Sequence, residues 1–224
     1  MRRVLVVEIE ELLFDTLHTR ASALHVALSQ EGIDADFDVV HSAHRGVTAA
    51  MALDRLAAAR QLDATGRELV LHRAATTASR VFDVHAPSFD TGVRDQLVAL
   101  AAELPLAVVT RATVEEAQRW LAAADLEASV TAVSSLAGLD AEQQATAWHD
   151  AVRRARAEQG VAMASAALLV GARRAGLRTV QLGDAYDRDR AGYHAEAHVA
   201  SLAEMNAAVL AGLFPMPHVT PHAS

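Results

Sequence analysis

The chain has 224 residues, 52% hydrophobic but only 4% aromatic, and a formal net charge of −8. That length suffices for one sizeable domain, or for one domain with a smaller insert, and a core so poor in rings must be built from Ala, Val and Leu, which suits helices laid on a parallel sheet. The negative charge, with no clustered basic stripe, argues against nucleic acid as a partner, and the absence of cysteine excludes disulfides, thiolate catalysis and cysteine-type zinc sites.

No apolar run approaches the ~20 residues of a bilayer span. Met1-Arg2-Arg3 and its short apolar run are interrupted by Glu8, Glu10 and Glu11, unlike a signal peptide, so the expected location is the cytoplasm. All 20 basic residues are arginine and none is lysine.

In chain order, Val4-Leu5-Val6-Val7 reads as a buried parallel strand, followed by Leu12-Leu13-Phe14 and a helix from Leu17 to Glu31. From Ala35 to Val84 the pattern is that of amphipathic helices without a strand, with Met51, Leu53, Leu56, Leu62, Leu69, Val70 and Leu71 directed inward. Pro87 to Asp90 reads as a linker and Gly92 to Glu103 as a helix. Leu106 to Thr110 forms a second strand, and the helix Val114 to Ala124 follows, with Glu115 and Glu116 in the first turn where the helix dipole favours acids. A third strand is expected at Val130 to Val133, a helix at Ala141 to Gln159, strands at Ala167 to Val170 and Arg178 to Leu182, and a closing helix at Leu202 to Leu210. This β/α alternation defines an α/β protein with a parallel sheet. The tail from Pro215 to Ser224 is expected to be disordered.

The segment Val7-Glu8-Ile9-Glu10-Glu11-Leu12-Leu13-Phe14-Asp15-Thr16 has the frame of an opening motif in which a strand ends in Asp-x-Asp-Gly and continues through apolar residues to Asp-Thr or Asp-Ser. With a helical stretch after the first strand, Gly92-Val93-Arg94-Asp95-Gln96-Leu97 before the second, Ala107-Val108-Val109-Thr110 and Ala175-Gly176-Leu177-Arg178-Thr179-Val180, the chain resembles the haloacid dehalogenase (HAD) superfamily, in its capped, phosphoglycolate-phosphatase-like subgroup, over residues 4 to 210. The resemblance implies a Rossmann-like core made of residues 1–16 and 88–210, with a helical cap at 17–87 inserted after the first strand, and residues 211–224 are expected to form a disordered tail.

In that family the first Asp is the nucleophile, the second an acid/base, a Ser/Thr and a Lys bind the transferred group, and late acids hold Mg²⁺. Here the two Asp positions carry Glu8 and Glu10, each longer by a methylene, where productive geometry tolerates only about 0.5 Å of error. The Gly position is Glu11, a third acid, and three carboxylates so close raise one another's pKa unless a cation sits among them. Thr110 matches the phosphate-binding Ser/Thr, and Arg111 beside it offers a guanidinium. Counting back from Trp148 places Glu142 at the Lys position, an acid where a phosphate-binding cation belongs. The Gly-Asp-x-x-x-Asp motif should follow Leu168-Leu169-Val170, but the chain runs directly into Gly171 to Gly176, as though a helix were missing; Gly183-Asp184-Ala185-Tyr186-Asp187 looks like the lost motif but stands after the next strand.

The expectation is a HAD-like pseudoenzyme acting through a protein partner or assembly, with Glu8 and Glu10 as degenerate catalytic positions, Thr110 and Arg111 as an anion site, and no metal. The alternative is a Mg²⁺-dependent hydrolase of a small phosphorylated metabolite, and retained binding of a small anionic ligand without turnover is a third reading. No His-Glu-x-x-His, Gly-x-Ser-x-Gly, Gly-x-x-x-x-Gly-Lys-Ser or Gly-x-Gly-x-x-Gly motif is present, which removes zinc protease, α/β-hydrolase, P-loop and dinucleotide readings.

Overall fold

The computed structural model describes residues 2–10, 12–139, 142–183, 195–205 and 207–214. Among these residues six strands form one parallel sheet: β1 (Arg3–Glu8), β2 (Leu106–Thr110), β3 (Val130–Ser135), β4 (Gln159–Ala164), β5 (Arg178–Leu182) and β6 (Ala197–Val199), in the order β3-β2-β1-β4-β5-β6. The first strand is therefore central, between β2 and β4, and the order reverses on either side of it. In open sheets of this kind that reversal, at the carboxyl ends of the strands, is where sites form, and Glu8 stands there.

Both faces of the sheet are buried, so alternate residues of each strand enter different cores. Leu5 and Val7, Leu106 and Val108, and Val161 and Met163 pack into one, with Trp120, Phe14 and Phe82. Val4 and Val6, Ala107 and Val109, and Ala162 and Ala164 pack into the other, with Trp148, Leu168 and Leu169. The first core is covered by α5 (Thr91–Glu103), α6 (Val114–Ala123) and a terminal helix, Ala207–Leu213; the second by α7 (Gln144–Arg154) and α8 (Ala166–Arg174).

Between β1 and α5 the described chain is helical: α1 (Leu17–Gln30), α2 (Phe37–His44), α3 (Ala49–Arg55), a 3₁₀ turn and α4 (Ala64–Val84). Asp36, Thr48 and Asp63 cap the last three helices by accepting from backbone amides, the usual role of Asp and Thr at helix starts. This unit has its own core, with Leu24, Leu28, Leu53, Leu56 and Val70 buried and Met51, Leu62 and Leu71 packed at its edge. Leu69, expected to face inward, is exposed instead. The unit joins the sheet through two short connections, which pair with each other through Phe14 and Phe89.

The structure corrects the sequence reading in the fourth β/α unit. The expected helix Ala141 to Gln159 ends at Arg154 and gives way to β4, and the expected strand Ala167 to Val170 lies inside α8. The strand's sequence, Gln-Gly-Val-Ala-Met-Ala, has one β-branched residue and hides its strand character. Packing selects it. A Cβ on Gly160 would lie 2.9 Å from Val152 Cγ2 and 3.0 Å from Leu177 Cδ2, so only glycine lets α7 and the β5 connection close over the strand. Gly171 plays the same part between helices, since a Cβ there would meet Gln144 Cβ at 2.9 Å and Trp148 Cδ1 at 3.2 Å. No crossover helix is missing: α8 is the crossover between β4 and β5. The expected closing helix Leu202 to Leu210 is a 3₁₀ turn, Leu202–Glu204, and then the helix Ala207–Leu213, so residues 211–213 belong to a helix and not to a disordered tail, while Pro215 to Ser224 lie outside the described residues.

Candidate functional site

Glu8 ends β1, Glu10 lies in the turn after it, Thr110 ends the neighbouring β2, and Arg111 follows directly. Parallel pairing of these two strands, with Glu8 opposite Val109, brings all four side chains to one place at the carboxyl edge of the sheet. Each is 5% exposed or less.

One oxygen of Glu10 organises the site. Its Oε1 accepts from Thr110 Oγ1 at 2.8 Å, from the Arg111 amide at 2.6 Å and from the Ala112 amide at 2.9 Å. A hydroxyl and two successive backbone amides aimed at one point form an anion-binding concavity, and here an internal carboxylate fills it. Glu8 Oε1 accepts from Arg111 Nε at 2.9 Å, a buried charge-assisted pair, and from the Glu10 amide at 3.3 Å. Arg111 then reaches across to the helical unit, where its Nη1 donates to the Val47 carbonyl at 3.1 Å.

Two residues without a sequence signature complete the arrangement. Arg20, one turn into α1, places Nη2 3.6 Å from Glu10 Oε1 and stacks its guanidinium 5.5 Å from the Phe82 ring centroid and 5.9 Å from that of Trp120. Ser165, after β4, donates to the Gly46 carbonyl at 2.7 Å. His44, at the end of α2, is buried beside this network, and the only hint of that in the sequence is its place four residues after the inward Val40.

The electrostatics follow from this geometry. Burial opposes ionisation of Glu10, but the Arg111 and Arg20 guanidiniums, with the hydrogen bond from Thr110, outweigh it and hold the carboxyl below its ordinary value. Burial likewise pulls the Arg20 guanidinium below its ordinary value, against the attraction of Glu10. Burial and then the Arg111 charge push the His44 imidazole down to about 3, so at neutral pH it carries no charge. The cations that keep Glu10 ionised are thus arginines of the chain itself. Chemically, Glu8 is engaged by a guanidinium, and Glu10, kept ionised, has no proton to donate at neutral pH.

The donor set does not suit Mg²⁺, the metal the HAD resemblance brings with it. That ion takes near-octahedral oxygen ligands, whereas Oε1 of Glu8 and Oε1 of Glu10 are committed to arginine and amide donors. With the fourth strand at Gln159–Ala164, the late acidic motif would fall on Ser165 to Leu169, where the sequence is Ser-Ala-Ala-Leu-Leu. Among the described residues no group of three His, Asp or Glu is placed to hold a metal ion. Asp184 and Asp187 lie outside the described residues, as does Glu11, and Glu142 is exposed in the turn before α7.

Comparison with solved structures identifies the class of fold. The chain matches a haloacid dehalogenase-like family hydrolase from Streptococcus pneumoniae over 95% of its own length and 99% of that chain, with a TM-score of 0.72 at 14% identity. It also matches CbbY from Rhodobacter sphaeroides, solved with phosphate, over 95% and 99% of the two chains (TM-score 0.69, 18% identity), and β-phosphoglucomutase from Clostridium difficile over 95% and 96% (TM-score 0.69, 11% identity). The chain has the HAD-like hydrolase fold, an α/β Rossmann-like architecture, as the opening motif led us to expect. No family model matches its sequence, and no curated protein matches it. Among the described residues no helix is long and apolar enough to cross a membrane.

Proposed function

We propose that this protein is a catalytically inactive HAD-like protein, with residues 1–16 and 88–210 as core and 17–87 as a helical cap, and that it acts through a protein partner or assembly. The observation that carries the reading is the occupation of the Thr110, Arg111 and Ala112 donor set by Glu10 Oε1. In the HAD resemblance Thr110 belongs to the phosphate, and in this chain an internal carboxylate takes that place. Glu8, at the nucleophile position, supports it further, because a carboxylate paired with Arg111 at 2.9 Å is both weakened and shielded. Function lives in a site rather than in a fold, so the phosphate in the CbbY structure speaks for that protein.

The competing reading is a Mg²⁺-dependent phosphatase using Glu8. An assay with p-nitrophenyl phosphate, phosphoglycolate and sugar phosphates in the presence of Mg²⁺ separates the two. The proposal expects no hydrolysis above background, and turnover abolished by Glu8→Gln would refute it.

A further inference from the structure

A cavity of about 270 Å³ lies between the helical unit and the sheet, directly beside the filled anion pocket. Its walls are methyl groups, chiefly those of Ala49, Ala74, Ala75 and Leu71, and its polar lining includes Arg20 and His44. It continues toward Ser79, Arg80 and Asp83 through a second hollow of about 420 Å³, which shares Arg20, Ala75 and Arg111 with the first. At ~30 Å³ per molecule of liquid water the inner space alone equals about nine waters, and it lies near the lower limit of ordinary small-molecule pockets.

The polar groups at this wall are under-satisfied by the protein. Arg20 Nε and Nη2 and His44 Nδ1 are buried and have no hydrogen-bond partner among the described residues. The ion-pair partner of Arg20, Glu10 Oε1, stands 3.6 Å away and already accepts three shorter hydrogen bonds. A desolvated guanidinium so placed gains more from one additional acceptor than an exposed one would. The charge balance limits what that acceptor can be. Arg20 and Arg111 lie among three carboxylates, Glu8, Glu10 and Glu116, so a dianionic phosphate would meet more repulsion than a monoanion, and its remaining oxygens would meet alanine methyls.

The geometry points to this cavity as a binding site for a small, mainly apolar monocarboxylate, with the carboxylate on Arg20 and the apolar body against the alanines of α3 and α4. The inference rests on the inactive-site reading above, because the ligand lies beside the filled Glu10 pocket and meets no competent nucleophile there. Neutral His44 completes the wall as a polar neighbour that adds no charge.

The test uses the full chain and defined probes: sodium hexanoate and phenylacetate, the neutral isostere hexanamide, and inorganic phosphate, each titrated by calorimetry and by chemical-shift perturbation. Expected are saturable binding of at least one carboxylate, at least tenfold weaker binding of hexanamide for loss of one charge-assisted contact (about 1.4 kcal/mol), and no competition by phosphate. Arg20→Gln should remove the preference for carboxylate over amide. Because Arg20 sits in the buried network, Ala75→Phe is the second variant: Ala75 is exposed on α4 and lines both hollows, so the ring blocks the space without disturbing the core. It should abolish carboxylate binding while leaving the unliganded melting temperature unchanged. Absence of binding by both carboxylates, equal binding of amide and carboxylate, displacement by phosphate, or full affinity in Ala75→Phe would each overturn the inference. Hydrolysis of phosphate esters by the same preparation is scored separately: turnover refutes the inactive-site reading, and carboxylate failure without turnover refutes only the ligand.

Discussion

His44 makes the stability of this protein depend on pH in a way that one substitution can isolate. Its imidazole is 2% exposed and is held neutral down to about pH 3 by burial, with the Arg111, Arg20 and His41 charges acting in the same direction, whereas the ordinary value is 6.5. The unfolded chain therefore takes up a proton at a pH where the folded chain refuses it. The stabilisation is complete above 6.5 and is lost as the pH falls toward 3. Between pH 7.5 and pH 5 the difference in proton uptake amounts to about 1.5 pH units, or about 2 kcal/mol at 1.36 kcal/mol per unit. His44→Phe keeps a ring of similar size and removes the titration. Urea unfolding of both proteins at the two pH values gives the comparison. The wild-type chain should lose about 2 kcal/mol more than His44→Phe. Equal losses in the two proteins, or an imidazole that titrates between pH 5 and 8 by NMR, would refute the burial argument.

Other consequences are equally direct. Arg111→Met leaves Glu8 buried without its guanidinium and should destabilise by about 3–5 kcal/mol, while the double variant with Glu8→Leu should recover part of that loss, both read by urea unfolding. Gly160→Ala places a methyl within 3 Å of Val152 and Leu177 and should cost about 1–3 kcal/mol, whereas Gly212→Ala, with nothing within 4 Å, should not lower the melting temperature. Calorimetric titration with Mg²⁺ should show no micromolar site that disappears in Glu8→Ala, because the acids it would need are engaged by arginine and amides.

Much of the fold was legible because most strands announce themselves. Val4 to Val7 and Leu106 to Val109 are dense in Val and Leu, and the strand-loop-helix frame around Glu8 to Thr16 carries the HAD resemblance together with the segments around Thr110 and Ala175 to Val180. The fourth strand escaped because its burial depends on small residues: Gly160, Ala162 and Ala164 are chosen by what packs on them, and Leu168-Leu169-Val170 looks more like a strand than the real one does. In the site, Glu8, Glu10, Thr110 and Arg111 were each legible as candidates, and pairing of the first two strands brings them together. What sequence alone did not reveal was how they combine. A long carboxylate after β1 reaches back into the amides after β2, and Arg111 turns from a candidate anion ligand into the partner of Glu8. Arg20 and Ser165 had no motif to mark them, since their roles arise only from contacts with residues distant in sequence.

The claim that Glu10 occupies the place a phosphate would take is tested most directly by steady-state hydrolysis of p-nitrophenyl phosphate and phosphoglycolate by the purified protein in Mg²⁺, beside Glu8→Gln and the reversion Glu8→Asp, Glu10→Asp, Glu11→Gly. The filled-site account predicts background rates for all three proteins, because the reversion restores neither a lysine nor the late acids. Turnover by the unaltered chain that vanishes in Glu8→Gln would contradict it and make Glu8 a nucleophile.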